Sequence, residues 1–104
     1  MRIVKTRSIL DFAKKHPTLR RTVDTFLRIV READWQTPDD LVGSFGESRT
    51  DTFSHERVCI NLGGGKCRVV IKVRYGWGIV YFRWIGLHKD YDKLMKKGKR
   101  IEDL

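Results

Sequence analysis

The 104-residue sequence contains no apolar run that approaches the roughly 20 residues a membrane-spanning helix requires. Its start, MRIVKTRSILDFAKKH, lacks the apolar segment and the small-residue cleavage site of a secretory signal. The only cysteines, Cys59 and Cys67, form neither a CxxC pair nor a disulfide framework, and we expect both to be reduced thiols packed inside the protein. These absences favour one cytoplasmic domain over residues 1–104, without membrane contact.

Acidic residues are also few, with 13 Asp and Glu against 22 Lys and Arg, which gives a net charge of +9. The excess is uneven, because residues 1–34 carry +5, residues 35–57 carry −3 and residues 58–104 carry +7. Such a balance is typical of proteins whose partner carries many phosphates. No paired carboxylates and no His/Cys/Asp spacing indicate a metal site, so we expect neither a metal ion nor a cofactor.

Two helices are predicted before residue 34. In SILDFAKKHP, Ser8 and Asp11 have the spacing of a capping box, and Pro17 ends the segment. From Thr18 to Ala33, apolar residues recur with the period of a helix that buries one side. The next stretch, WQTPDDLVGSFGESRTDTFSHE, is rich in turn-forming and acidic residues and is predicted as a long connector with one helical turn after Pro38.

Three strands are predicted after residue 57, and two glycine-containing turns set their pairing. With Gly63-Gly64 at the centre of the first turn, Val58 faces Val69 across the hairpin. With Gly76-Trp77 at the centre of the second, glycine takes the first position, as a type II′ turn requires. In that register Val69 faces Trp84.

This pairing sorts the strand residues onto two faces of an antiparallel meander. One face is apolar and consists of Val58, Ile60, Val69, Ile71, Val73, Val80, Phe82 and Trp84. The other carries four basic residues and a tyrosine, namely Arg68, Lys72, Arg74, Tyr81 and Arg83. We therefore predict an α+β fold in which the two N-terminal helices pack on the apolar face of a small antiparallel sheet, while the cations lie on the uncovered face.

Several cations on one sheet face repel one another, and an anionic partner would relieve that repulsion. An ordinary solvated strand face remains an alternative, although such a face usually mixes Thr, Ser, Glu and Lys. Four bases without an acid favour a phosphate-binding surface. Trp77, at the second predicted turn, fits either base stacking or a cap on the edge of the core.

The segment GLHKDYDKL follows the third strand, which we expect Gly86 to end. It contains His88, Asp90, Tyr91 and Lys93, and we expect it to close over one end of the basic face. Cleavage of RNA through its own 2′-hydroxyl needs a base for that hydroxyl, cations for the charged phosphorane and a proton donor for the leaving oxygen. Groups of each kind are present here.

These residues carry a resemblance to a known family. The segments VCINLGGGKCRVVIKV and IVYFRWIGLHKDYDKL resemble the HigB-type toxins of bacterial toxin–antitoxin pairs, in the RelE/ParE superfamily. The likeness covers most of the chain. Its most specific parts are the hairpin from Asn61 to Arg68 and the run formed by His88, Tyr91 and Asp92.

The resemblance implies a metal-independent endoribonuclease that cleaves mRNA on the translating ribosome and is silenced by a HigA-like helix-turn-helix antitoxin. It also implies the predicted α+β architecture with a short C-terminal helical segment. The residues that match the family's active surface are assigned as follows: Arg68, Lys72 and Arg83 hold and stabilise phosphate, His88 and Tyr91 transfer protons, Asp90 orients a neighbour and Lys93 adds charge. From their place on or beside the basic face, Arg74, Tyr81, Asp90 and Lys93 are predicted to contact RNA.

Two other functions remain open from the sequence. A ParE-like toxin would keep this fold but inhibit a protein target such as DNA gyrase, and it would need no proton-transfer group. A noncatalytic RNA-binding module would use the basic face alone. His88 and Tyr91 favour the enzyme, because a pure binder gains more from exposed aromatic side chains on which bases stack.

Overall fold

Helices cover one face of a five-stranded sheet in the computed structural model, which describes all residues from 1 to 104. The strands are β1 (Arg2–Val4), β2 (Thr50–Thr52), β3 (Arg57–Leu62), β4 (Cys67–Arg74) and β5 (Ile79–Leu87). The helices are α1 (Arg7–Lys15), α2 (Arg20–Glu32), α3 (Pro38–Phe45) and α4 (His88–Lys96). The order β1-β5-β4-β3-β2 confirms the predicted α+β fold. No helix combines the length and apolar character that a bilayer crossing requires.

The sheet is larger than predicted because two short strands extend its edges. Strand β1 pairs in parallel with β5, and β2 pairs antiparallel with β3. Each has only three residues, which is too few for an alternating pattern to stand out in the sequence. The sheet is therefore mixed, with an antiparallel centre and one parallel edge.

The number of helices agrees with the prediction better than the residues at which they begin and end. Helix α2 agrees closely with the predicted second helix, but α1 begins at Arg7 after Thr6 and has no side-chain cap, so the predicted capping box at Ser8 is wrong. The connector also contains more helix than expected. Thr37 and Asp40 form a capping box there that starts α3, and this helix is longer than the single turn predicted.

The first hairpin has a four-residue loop, and the predicted pairing of Val58 with Val69 is wrong. Three consecutive glycines, Gly63 to Gly65, all take positive φ angles of 60° to 89°, which moves the centre of the turn by one residue. Val58 consequently pairs with Ile71. A shift of one residue in the turn changes every partner by two, so each side chain stays on its predicted face.

The second hairpin has the predicted register near its turn, where Val73 pairs with Val80. The residue with a left-handed conformation is Gly78, at a φ of 67°, and not Gly76, so the type II′ turn is wrong. The turn instead closes through a short 3₁₀ segment over Tyr75–Trp77.

A bulge in β5 changes the face of the residues that follow it. Ile71 pairs with Phe82 whereas Val70 pairs with Trp84, which leaves Arg83 as the extra residue. The prediction that Trp84 lies on the apolar face is therefore wrong, and its ring lies on the opposite face of the sheet.

The predicted end of the strand at Gly86 is also wrong, because β5 continues to Leu87. A Cβ atom at Gly86 would lie 2.6 Å from the ring of Trp84. The glycine thus makes room for that indole on the basic face and does not interrupt the strand.

The basic face is partly covered, as predicted for the segment that follows the third predicted strand, but its coverage by residues 101–103 was not predicted. Helix α4 and a turn at Ile101–Asp103 pack across one end of it. They form a small second core of Cys59, Val70, Tyr91 and Ile101, with Trp84, Met95 and Leu104 beside it. The main core, on the other face, joins residues of α1, α2 and α3 to the apolar residues of β3, β4 and β5.

Candidate functional site

Arg68 lies at the centre of the candidate site and is held by two side chains. Its Nε donates a hydrogen bond to Asn61 Oδ1 at 2.5 Å, and its Nη2 lies 3.2 Å from Asp51 Oδ2. Asn61 is the cross-strand partner of Arg68, and Asp51 lies on the edge strand β2. Only 13% of the Arg68 side chain is exposed, yet its Nη1 has no protein partner and is not buried. A fixed guanidinium with one free donor group suits phosphate binding.

Tyr91 lies directly against Arg68. The guanidinium carbon is 4.3 Å from the centre of the Tyr91 ring, within the range of a cation–π contact. Burial raises the pKa of Tyr91, as does the neighbouring Cys59, and the Arg68 cation opposes this only in part. The phenol therefore keeps its proton at neutral pH, so it can donate a hydrogen bond or a proton but does not act as a base.

His88 begins α4 and also lies near Tyr91, with 6.4 Å between the two ring centres. Its backbone N–H donates to the carbonyl oxygen of Lys66, which fixes the start of the helix to the first hairpin. Its Nδ1 is 3.2 Å from Asp92 Oδ2, and about half of each side chain is exposed. Asp92 can thus orient the imidazole and leave Nε2 available to a substrate.

The other two residues predicted on α4 make no such contacts. Asp90 and Lys93 are exposed, and neither side chain forms a hydrogen bond or an ion pair within the protein. The carboxylate beside His88 is therefore Asp92, one helical turn away, and not Asp90. The i, i+4 spacing of His88 and Asp92 was present in the sequence and could have indicated this pair.

The remaining predicted residues of the basic face lie farther along the sheet. Lys72 Nζ is 6.0 Å from the centre of the Tyr81 ring, and Arg83, at the bulge, donates from Nε to the Leu104 carbonyl oxygen at 2.9 Å. Arg74 pairs with Glu56 at 3.1 Å near the second hairpin turn. Six residues of strand separate it from Arg68, which is about 20 Å. The structure thus groups Arg68, His88 and Tyr91 and places Arg74 apart from them.

Three contributors to this surface were not predicted as site residues. Asn61 and Asp51 hold Arg68, and Arg57, 9% exposed, donates to the carbonyl oxygens of His55 and Leu104. The pairing of Asn61 with Arg68 follows once the first loop is known to have four residues. Nothing in the sequence pattern indicated Asp51, because it lies in the irregular connector and reaches Arg68 only through the folded sheet.

Comparison with known proteins places the chain in a family. A profile of the HigB toxin family, described as the RelE-like toxic component of a toxin–antitoxin system, matches residues 19–94. The match extends from the start of α2 into α4 and includes Arg68, His88 and Tyr91. The chain belongs to the HigB toxin family. This confirms the resemblance inferred from the segments VCINLGGGKCRVVIKV and IVYFRWIGLHKDYDKL.

One curated member of the family is similar over nearly its whole length. The mRNA interferase HigB of Escherichia coli O6:H1 (strain CFT073) is 22% identical over 96 residues, which cover 92% of this chain and 93% of that protein. The chain therefore matches nearly the full length of a protein that is named an mRNA interferase.

Proposed function

We propose that this HigB-family toxin is a metal-independent endoribonuclease that cleaves mRNA on the translating ribosome. The observation that carries the proposal is the grouping of a restrained arginine, a tyrosine beneath it and an accessible histidine on a basic sheet face. The name of its relative in Escherichia coli supports mRNA as the substrate. Membership of a family of toxic components supports a cognate antitoxin as partner, for which we propose a HigA-like helix-turn-helix protein.

The proposed reaction uses the 2′-hydroxyl of the RNA as the nucleophile. His88 Nε2 accepts the proton of that hydroxyl while its Nδ1 is held by Asp92. The 2′-oxygen then forms a bond to phosphorus and the bond from phosphorus to the 5′-oxygen breaks. The leaving oxygen takes up a proton, and the products are a 2′,3′-cyclic phosphate and a 5′-hydroxyl end. No metal is needed, because the nucleophile belongs to the substrate.

Arg68 is proposed to stabilise the negative charge that develops on the phosphate. Its position is fixed by Asn61 and Asp51 before any substrate binds, so little reorganisation is needed during the reaction. Lys72 and Arg83 are proposed to add positive charge along the path of the bound RNA strand. Tyr91 keeps its proton at neutral pH and is proposed as the donor to the leaving oxygen. Its ring also positions Arg68.

The test combines translating ribosomes with the purified toxin and maps the new mRNA ends and their chemistry. We expect ends with 5′-hydroxyl groups and 2′,3′-cyclic phosphates, and cleavage of any ribosome-free RNA should persist in EDTA. Arg68→Ala should reduce the cleavage rate by about 10² to 10³ fold, as the loss of a fixed donor to a developing charge does elsewhere. Arg20→Ala is the matched control, because Arg20 is an exposed cation on α2, at the start of a helix that packs on the opposite face.

Two results would contradict the proposal. Ends that carry 5′-phosphates would mean that water, and not the 2′-hydroxyl, is the nucleophile. Growth arrest without any RNA cleavage would instead support a ParE-like action on a protein target such as DNA gyrase.

A further inference from the structure

Trp77 is exposed to an extent that packing does not explain. At the turn between β4 and β5, 76% of its surface is accessible, compared with 46% for Leu10 and 38% for Phe53, the other exposed large apolar residues. The possibility that it caps the edge of the core is therefore wrong. An indole left in water at a hairpin tip is the type of group that binding partners bury.

A cation, Arg74, lies beside Trp77. The guanidinium carbon of Arg74 lies 6.0 Å from the centre of the indole ring, and Arg74 is itself held by Glu56 at 3.1 Å. The turn is tight, with Gly78 in a left-handed conformation directly after the tryptophan. The indole is thus presented on a short turn next to a restrained positive charge.

The same strand connects Trp77 to the proposed cleavage site. Strand β4 carries Arg68, Lys72 and Arg74 on its basic face, and the turn with Trp77 follows directly. Proteins that hold single-stranded nucleic acid combine a positive path for the phosphates with aromatic side chains on which bases stack. About 20 Å of strand separates Arg68 from Arg74, so the tryptophan would meet a base several nucleotides from the cut.

We propose that Trp77, with Arg74, is a stacking subsite for an unpaired RNA base several nucleotides from the scissile phosphate. Arg74 would bind the adjoining phosphate while the indole face carries the base. The subsite extends the proposed ribonuclease function, since it positions the strand that Arg68 and His88 act on.

Binding is measured with a short single-stranded 2′-O-methyl RNA, which cannot be cleaved through a 2′-hydroxyl. We expect Trp77→Ala to weaken binding by about 5- to 100-fold, and Trp77→Phe to restore part of the loss. RNA should quench tryptophan fluorescence in the parent and leave that of Trp77→Phe nearly unchanged. Leu10→Ala, an exposed apolar residue on α1, is the matched control and should bind as the parent does.

Moving one abasic residue along the RNA identifies the stacked base. At one position the abasic site should weaken binding to the parent but add nothing to the loss in Trp77→Ala, because the same contact is removed twice. If only ribosome binding responds to Trp77→Ala, the indole contacts the ribosome and not the cleaved strand, and the proposed subsite is overturned. Unchanged binding to both RNA and ribosomes would overturn it. If the parent binds the 2′-O-methyl RNA and is quenched but cleaves no unmodified mRNA on translating ribosomes, the ribonuclease proposal fails while stacking of an RNA base on Trp77 remains.

Discussion

The two faces of the sheet differ in how their side chains are held. On the helix-covered face, 18 buried residues form one continuous apolar cluster that is stabilised by close packing. On the basic face the buried cluster has four residues, and Arg68 lies over it with bonds to Asn61 and Asp51. One face therefore stabilises the fold, and the other has a core just large enough to fix a few polar side chains.

This difference explains why the sheet carries its charged side chains on the basic face only. The small core places Tyr91 under the guanidinium of Arg68 and next to Trp84, 6.1 Å away between ring centres. Without that apolar support the cation would move freely in water, and its binding of a phosphate would cost more side-chain entropy. The second core is thus part of the site, because its aromatic residues restrict Arg68 to one arrangement.

The largest effect is expected from a charge placed in the helix-covered face. Ile71→Asp would put a carboxylate at a fully buried position without a partner, a change whose cost approaches the whole stability of a small domain. We expect no cooperative unfolding transition in denaturant or heat. Lys72→Asp is the matched control, since the next residue along β4 lies on the other face and is half-buried. An Ile71→Asp protein that melts cooperatively would show that the two faces differ less than their packing indicates.

The sequence predicted the faces well because side-chain direction in a strand depends only on parity. The first turn was misplaced by one residue, and the resulting change of two in the pairing left every side chain on its correct face. The bulge at Arg83 had no signal of its own, so Trp84 was placed wrongly. The edge strands were not predicted, because each has only three residues. Asp51 lies in one of them, β2, so its contact with Arg68, which depends on long-range strand pairing, was not predicted either.

The second-largest effect is expected on the rate of RNA cleavage, when the proton-transfer groups of the basic face are replaced. His88→Ala should slow RNA cleavage by about 10² to 10⁴ fold, the usual contribution of a positioned general base, while RNA binding stays within a few fold. Single-turnover cleavage and equilibrium binding measure the two separately. Asp92→Asn should give a smaller loss, because it weakens only the orientation of the imidazole.

Tyr91→Phe divides the two roles of the tyrosine. The variant keeps the ring beneath Arg68 and removes the hydroxyl, so binding should be unchanged and only cleavage should fall. The cleavage rates of both His88→Ala and Tyr91→Phe could instead stay within about threefold of the parent rate, which is well below the usual contribution of proton transfer. That result would exclude both residues from the mechanism. Lys72 and Tyr81 would then be the next candidates on the sheet.

The smallest effect is expected in the pH dependence of stability, where Cys59 and Cys67 can be compared because each face of the sheet buries one of them. Burial raises the pKa of both thiols, and that of Cys59, beneath Tyr91, from 9.0 to about 11 despite the nearby Arg68 cation. The folded protein therefore binds more protons than the unfolded chain between these values, and its stability falls as pH rises through them. The full contribution of Cys59 to the free energy of unfolding, about 2 to 3 kcal/mol, is present below pH 9 and is lost near pH 11.

The free energy of unfolding in urea, measured across this range, should fall less steeply in Cys59→Val than in the parent, because valine cannot ionise. Cys67→Val gives the comparison on the helix-covered face, where burial also raises the pKa of the thiol, so it should reduce the slope as well. Equal slopes for the parent and Cys59→Val would mean that water reaches the second core.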